Sequence, residues 1–179
     1  MKNLVEFEKK TADVLYNESQ IAEAVRRVGA EITRDYAGKN PLFIGILKGS
    51  FMFMADLVRR VELPCEVDFM VAKSYGDSKE SSGIVQIVKD IGADIFERDV
   101  IIVEDILDTG RTLCSIREVL QTRSPSSIKI CVFLDKKTAR KSPVTADYVC
   151  FEVADEFVVG YGLDYAEKYR NLPDLRSLN

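Results

Sequence analysis

Strands and helices alternate along this chain, and the alternation predicts an α/β fold: a mainly parallel, twisted sheet with helices on both faces. Three observations carry that expectation. Short apolar runs at Pro41–Leu47, Val100–Val103 and Ile128–Leu134 suit buried strands. Apolar stripes at helical spacing follow the first two runs, at Met54, Leu57, Val58 and Val61 and at Leu113, Ile116, Val119 and Leu120. Each of these strand–helix pairs is joined by a polar break, at Lys48–Ser50 and at Glu104–Gly110, and ligands in parallel sheets bind beyond the carboxyl ends of the strands.

The other elements follow in order. Ile21, Val25, Val28, Ile32 and Tyr36 make one helical face, with Ser19 as its expected N-cap. Val67–Val71, Tyr148–Val153 and Phe157–Tyr161 read as further strands, which makes Phe157 by its periodicity a core residue. The stretch Lys73–Gly83 is polar, small and without period, so it is an exposed hairpin or a lid. No Pro- or Gly-rich linker divides the chain, and residues 1–179 read as one domain with a real core.

Composition excludes whole classes of chemistry. The chain has no His, so no Ser-His-Asp or Cys-His pair and no HExxH zinc site is available, and any proton transfer falls to a carboxylate, Lys, Tyr or Cys. Its four Cys lie far apart with no CxxC, which argues against a zinc ribbon and for a reducing cytoplasm. A net charge of −4 without a basic stripe argues against broad nucleic-acid binding. The N-terminus lacks the apolar stretch of a signal peptide, and no apolar run approaches membrane-spanning length.

The strongest motif is Val103-Glu104-Asp105-Ile106-Leu107-Asp108-Thr109-Gly110-Arg111-Thr112. Its second half offers free N–H groups at a helix start, the hydroxyls of Thr109 and Thr112, the cation Arg111, and Gly110 for close backbone approach: a cradle for phosphate. Glu104 and Asp105 would repel a phosphate in the same cradle, so they suit hydroxyls such as those of ribose, or a ligand carrying magnesium. The spacing therefore suggests a sugar phosphate.

This segment resembles the phosphoribosyl diphosphate (PRPP) signature of the type I phosphoribosyltransferases. From about Leu42 to Leu172 the chain is similar to their hypoxanthine–guanine branch through four further motifs: Leu47-Lys48-Gly49-Ser50, Lys73-Ser74-Tyr75-Gly76, Leu134-Asp135-Lys136-Lys137-Thr138, and Asp155 to Tyr165 with Arg170 beyond. The resemblance implies that family's fold, with a small hood over the active site drawn mainly from residues 155–179 and part of the N-terminus, and a flexible catalytic loop at about 73–86. It implies transfer of a 5-phosphoribosyl group from PRPP to N9 of hypoxanthine or guanine, with Mg²⁺, and a homodimer or homotetramer.

By the same resemblance, Glu104, Asp105 and Asp108 through Thr112 hold the ribose and 5′-phosphate, with Asp108 as proton acceptor beside purine N7. Lys48, Gly49, Ser74, Tyr75 and Arg170 serve the diphosphate, and a cis peptide precedes Lys48. Lys136 meets the purine O6, Phe157 stacks on the base, Val158 reads it through its backbone, and Asp164 joins the purine-binding residues near the magnesium-bound diphosphate. Asp164, Glu104 and Asp105 are the implied magnesium residues, partly through ligand and water. Two rivals stand beside this reading: a PRPP- or nucleotide-sensing regulator that binds nucleic acid, and a transferase for another base, such as orotate, uracil or adenine.

Overall fold

A computed structural model of the chain describes residues 11–74 and 85–178. Most of the expected catalytic loop, Tyr75 included, lies outside the described residues, and Ser74 is described only as the last residue of a strand.

The first long helix, α1 (Glu18–Asp35), starts one turn earlier than its apolar stripe. Asn17, not Ser19, is the N-cap: its side chain accepts from Gln20 N, and Gln20 returns a bond to Asn17 N. That reciprocal pair satisfies two helix-end donors, which Ser19 could not do from inside the helix. α1 buries Ile21, Ala24, Val25, Val28 and Ile32. Helix α2 (Phe51–Val58) and helix α3 (Arg111–Gln121) bury Phe53, Met54 and Leu57, and Leu113, Ile116 and Leu120.

The main sheet comprises β2 (Leu42–Leu47), β3 (Glu66–Ser74), β4 (Val85–Lys89), β5 (Asp99–Leu107), β6 (Ser127–Asp135) and β7 (Tyr148–Glu152). Their order is β4-β3-β2-β5-β6-β7, parallel throughout except for the antiparallel edge strand β4. Side chains alternate between two covered faces. Phe43, Ile101, Val103 and Phe133 pack with α1 and α2, while Ile44, Ile102 and Val132 pack with α3. Burying each such side chain contributes roughly 1.5–3 kcal/mol, so double coverage explains strands that are apolar at every position.

A second, antiparallel sheet joins β1 (Thr11–Tyr16), β9 (Leu175–Leu178) and β8 (Val158–Val159). The strand expected over Phe157–Tyr161 is cut to two residues, because Gly160 turns at positive φ and bridges Leu163. Within the main sheet the chain moves outward from β2 to β3 on one side and from β5 to β7 on the other. The reversal lies between β2 and β5, and a crevice opens at the carboxyl ends of those two strands.

Candidate active site

One wall of the crevice is the turn after β2. The Leu47–Lys48 peptide is cis, as the resemblance implied. Ser50 is fully buried and its Oγ donates to Ile46 O at 2.6 Å, which ties the turn back onto its own strand. Gly49 lies so close to β5 that a Cβ there would sit 1.6 Å from Asp105 Oδ2. Only a residue without a side chain allows that approach. Lys48 extends outward, with Nζ 3.1 Å from both carboxylate oxygens of Glu167.

The floor is the acid pair. Strand β5 runs on to Leu107, so Glu104 and Asp105 stand within the strand, not in the turn that the sequence places there. The ladder to β6 holds them: Glu104 pairs with Val132, and Ile106 and Leu107 pair with Leu134 and Asp135. Glu104 lines a cavity of about 180 Å³ with Leu107, Asp108, Gly110 and Thr112, and its Oε2 is buried with no hydrogen-bond partner. Burial, then the neighbouring Asp105, push the Glu104 carboxyl well above the usual carboxylate range. Burial raises Asp105 too, against the hydrogen bond from Glu104, that from Ile106 N and the positive charge of Arg170. The carboxyl oxygens of such a pair suit the hydroxyls of a diol.

The anion cradle follows at the start of α3. Gly110 is its N-cap in the left-handed region, at φ 79°, and no acidic residue occupies the first helical turn. A helix start without a first-turn carboxylate favours an anion. Arg111 N lies 3.5 Å from Thr109 Oγ1, and Thr109 Oγ1 donates to Asp108 Oδ1 at 3.3 Å. Asp108 is exposed at the lip of the crevice.

The third wall comes from β6 and the C-terminal segment. Lys136 directly follows β6, is only 9% exposed, and donates Nζ–H to Glu156 O with Asp155 Oδ1 4.0 Å away. Its N–H reaches Leu107 O at 2.9 Å, tying this wall to β5. Phe157 is 51% exposed and meets Tyr165 edge to face, so the core position read from its periodicity does not hold. The two-residue β8 starts only after it, and Val158 is the buried neighbour. Arg170 Nη2 lies 2.7 Å from Asp164 Oδ1, its Nη1 donates to Gly162 O at 2.8 Å, and its buried Nε has no hydrogen-bond partner. Gly162 abuts the first wall, since a Cβ there would sit 2.2 Å from Gly49 O.

The residues named from sequence thus lie at the ends of β2, β5 and β6 and in the C-terminal segment tied to them, apart from Tyr75 and the undescribed Ser74 side chain. Glu167 was missed. It bridges Lys48 and Arg170, and no local signal marks a partner 119 residues away. Among the described residues no three acidic, thiol or imidazole groups form a ready-made metal cage, so Asp164 and the Glu104–Asp105 pair do not by themselves surround an ion.

The crevice separates its groups: a corner where Lys48 and Arg170 pair with Glu167 and Asp164, a helix start at Gly110, and a buried acid pair between them. A sugar bearing phosphates at both ends matches that division, and the class is that of enzymes that transfer phosphoribosyl groups. The phosphoribosyl transferase domain model matches residues 11–166, and the chain belongs to that family. It is 49% identical to the hypoxanthine-guanine phosphoribosyltransferase of Streptococcus mutans over 93% of this chain and 92% of that protein. A crystal structure of a hypoxanthine phosphoribosyltransferase from Staphylococcus aureus superposes with a TM-score of 0.93 at 48% identity, covering 97% of this chain and 94% of that one. A hypoxanthine-guanine phosphoribosyltransferase from Bacillus anthracis gives a TM-score of 0.92 at 44% identity, covering 95% and 100%.

Proposed function

We propose that this chain is a purine salvage enzyme that transfers the 5-phosphoribosyl group from PRPP to N9 of hypoxanthine or guanine, giving IMP or GMP and diphosphate. One observation carries the choice of base: a buried lysine, Lys136, stands beside the end of β5, where the sugar-phosphate turn begins, with one N–H already committed to Glu156 O. Its remaining donors suit the O6 carbonyl of a 6-oxopurine. A 6-amino group would present donors to a donor, and a buried mismatch of that kind discriminates strongly. Half-exposed Phe157 offers the base a face, and Val158 offers its backbone.

The catalytic demands divide among the walls. The ribosyl carbon becomes positively charged as its bond to diphosphate breaks. Lys48 and Arg170 balance the departing charge, Glu104 and Asp105 hold the ribose hydroxyls, and Asp108 to Thr112 hold the 5′-phosphate. Asp108 takes the purine proton at N7, a task left to a carboxylate in a chain without His. The unpartnered Glu104 Oε2 and the crowded acid pair fit a nearby Mg²⁺, which Glu104, Asp105 and Asp164 would hold, partly through ligand and water. When bound, the ion would neutralise charge on the diphosphate.

The regulatory reading gains no support from the comparisons. We further infer one domain over residues 1–179 with the small sheet as its hood, a reducing cytoplasmic setting in keeping with four free thiols, and a homodimer or homotetramer. The described helices include none long and apolar enough to cross a membrane.

The test is a panel of hypoxanthine, guanine, xanthine, adenine, uracil and orotate with PRPP and Mg²⁺, scored by nucleotide formed. Hypoxanthine or guanine should lead. Lys136→Ala should lower kcat/KM for both by roughly 10- to 100-fold and narrow their margin over adenine. A preference for adenine or a pyrimidine would overturn the reading.

A further inference from the structure

The segment between β6 and β7 does more than present Lys136. Arg140 lies within it, and its side chain is 17% exposed against 6% for its partner Asp135, the last residue of β6. All three of its guanidinium nitrogens donate. Nε donates to Asp108 O at 3.0 Å, Nη2 to Leu107 O at 3.3 Å and to Asp135 Oδ1, and Nη1 to Val144 O. The adjoining backbone completes the grip, with Lys141 N and Ser142 N donating to Thr109 O at 2.9 and 3.0 Å. At Gly110 the same segment closes in so far that a Cβ would sit 2.5 Å from Val144 Cγ1 and 3.1 Å from Arg140 Cδ.

Three consecutive carbonyls, those of Leu107, Asp108 and Thr109, are therefore held from outside by one short segment. Leu107 O also accepts from Lys136 N at 2.9 Å, but beyond it the chain has left the sheet and the α3 ladder has not begun, so strand and helix bonds do not hold the carbonyls of Asp108 and Thr109. We propose that Arg140, anchored by Asp135, is a positioning residue that fixes the backbone of Leu107 and Asp108 and thereby sets the aim of the 5′-phosphate cradle. A planar guanidinium spans these acceptors at once, whereas an ammonium keeps the charge but not the fork. The inference rests on the assignment of Asp108–Thr112 to the phosphate and adds the residue that holds that loop in shape.

The experiment compares binding of IMP and of inosine, which lacks the phosphate, to the intact protein and to Arg140→Lys by calorimetry. We expect the variant to bind IMP roughly 10- to 100-fold more weakly, the size of effect that a misplacement of about 1 Å produces, while inosine affinity changes less than twofold. Should Arg140→Lys not fold, Asp135→Asn is read in its place, with a smaller IMP loss in the same direction and the same indifference to inosine. Equal weakening of IMP and inosine, or an unchanged IMP affinity in a folded variant, would overturn the proposal. If the unmodified protein itself binds inosine as tightly as IMP, the cradle assignment fails first and the role of Arg140 goes with it.

Discussion

Strands β2 and β5 lie side by side, and each feeds a helix through a short polar turn, yet the two turns are shaped by opposite means. The turn after β2 is pressed from within the molecule: Ser50 bonds back to Ile46, and Gly49 is wedged between Asp105 and Gly162. Its one outward group, Lys48, is the cation. The turn after β5 is open on its ligand side, with Asp108 exposed, and is gripped from behind by Arg140, Lys141 and Ser142. A turn that must bring backbone against a buried carboxyl needs space, which only glycine leaves. A turn that must present its own side chains needs an external clamp, because it has no ladder bonds to hold it.

Four substitutions probe this contrast, taken from the largest effect to the smallest. Asp108→Asn removes the proposed proton acceptor from the open turn and keeps its shape. We expect kcat to fall by roughly 10- to 10⁴-fold with a smaller change in PRPP binding, measured by steady-state kinetics. Near-normal turnover would take Asp108 out of that role. Gly49→Ala attacks the pressed turn instead. The new methyl cannot coexist with Asp105 Oδ2, so the Asp105 carboxyl must be displaced or β2 and β5 must part, and kcat/KM should fall by about 100-fold together with roughly 1–3 kcal/mol of stability. Urea titration that leaves stability intact would mean the contact yields easily.

Glu104→Gln reads the floor between the turns through pH. Glu104 is raised above the ordinary carboxyl value of 4.5 in the folded chain, so the fold favours its protonated form. The resulting stabilisation is complete at pH below that value and fades as pH climbs through the raised one. Thermal melting of the ligand-free protein should therefore decline with rising pH, and the neutral amide should flatten the slope. An unchanged slope in the variant would assign the titration to other groups.

Glu167→Gln gives the smallest shift. Its pairing with Lys48 is two-thirds exposed on both sides, and such pairs are weak. Freeing Lys48 and Arg170 from a competing carboxylate should lower the KM for PRPP by about two- to five-fold. A raised KM would show that Glu167 aids binding.

The parallel frame was legible because every central strand is covered twice and so reads as an uninterrupted apolar run. The acid, hydroxyl and glycine order of Glu104 to Thr112 was legible for a different reason, since few turns gather those groups. Other features were not. Carboxylates at 104 and 105 disfavour a strand by local propensity, and only pairing with β6 carries β5 past them. Ser19 was a plausible cap, but Asn17 and Gln20 together satisfy more donors. Strand β1 lies some 160 residues from the β9 it pairs with, and neither has a pattern long enough to declare itself.

By itself, the amino-acid order determined which surfaces had to be buried, which chemistry was absent, and which short segment gathers the groups proposed to hold a sugar phosphate, because periodicity, missing histidine and local donor sets are properties of neighbours along the chain. The tertiary structure alone decided that Glu167 bridges Lys48 and Arg170, that Phe157 faces outward, and that Arg140 grips Leu107 and Asp108. Each of those contacts joins residues separated in sequence or turned by a local backbone break, and their energies depend on distances that only the packed sheet sets.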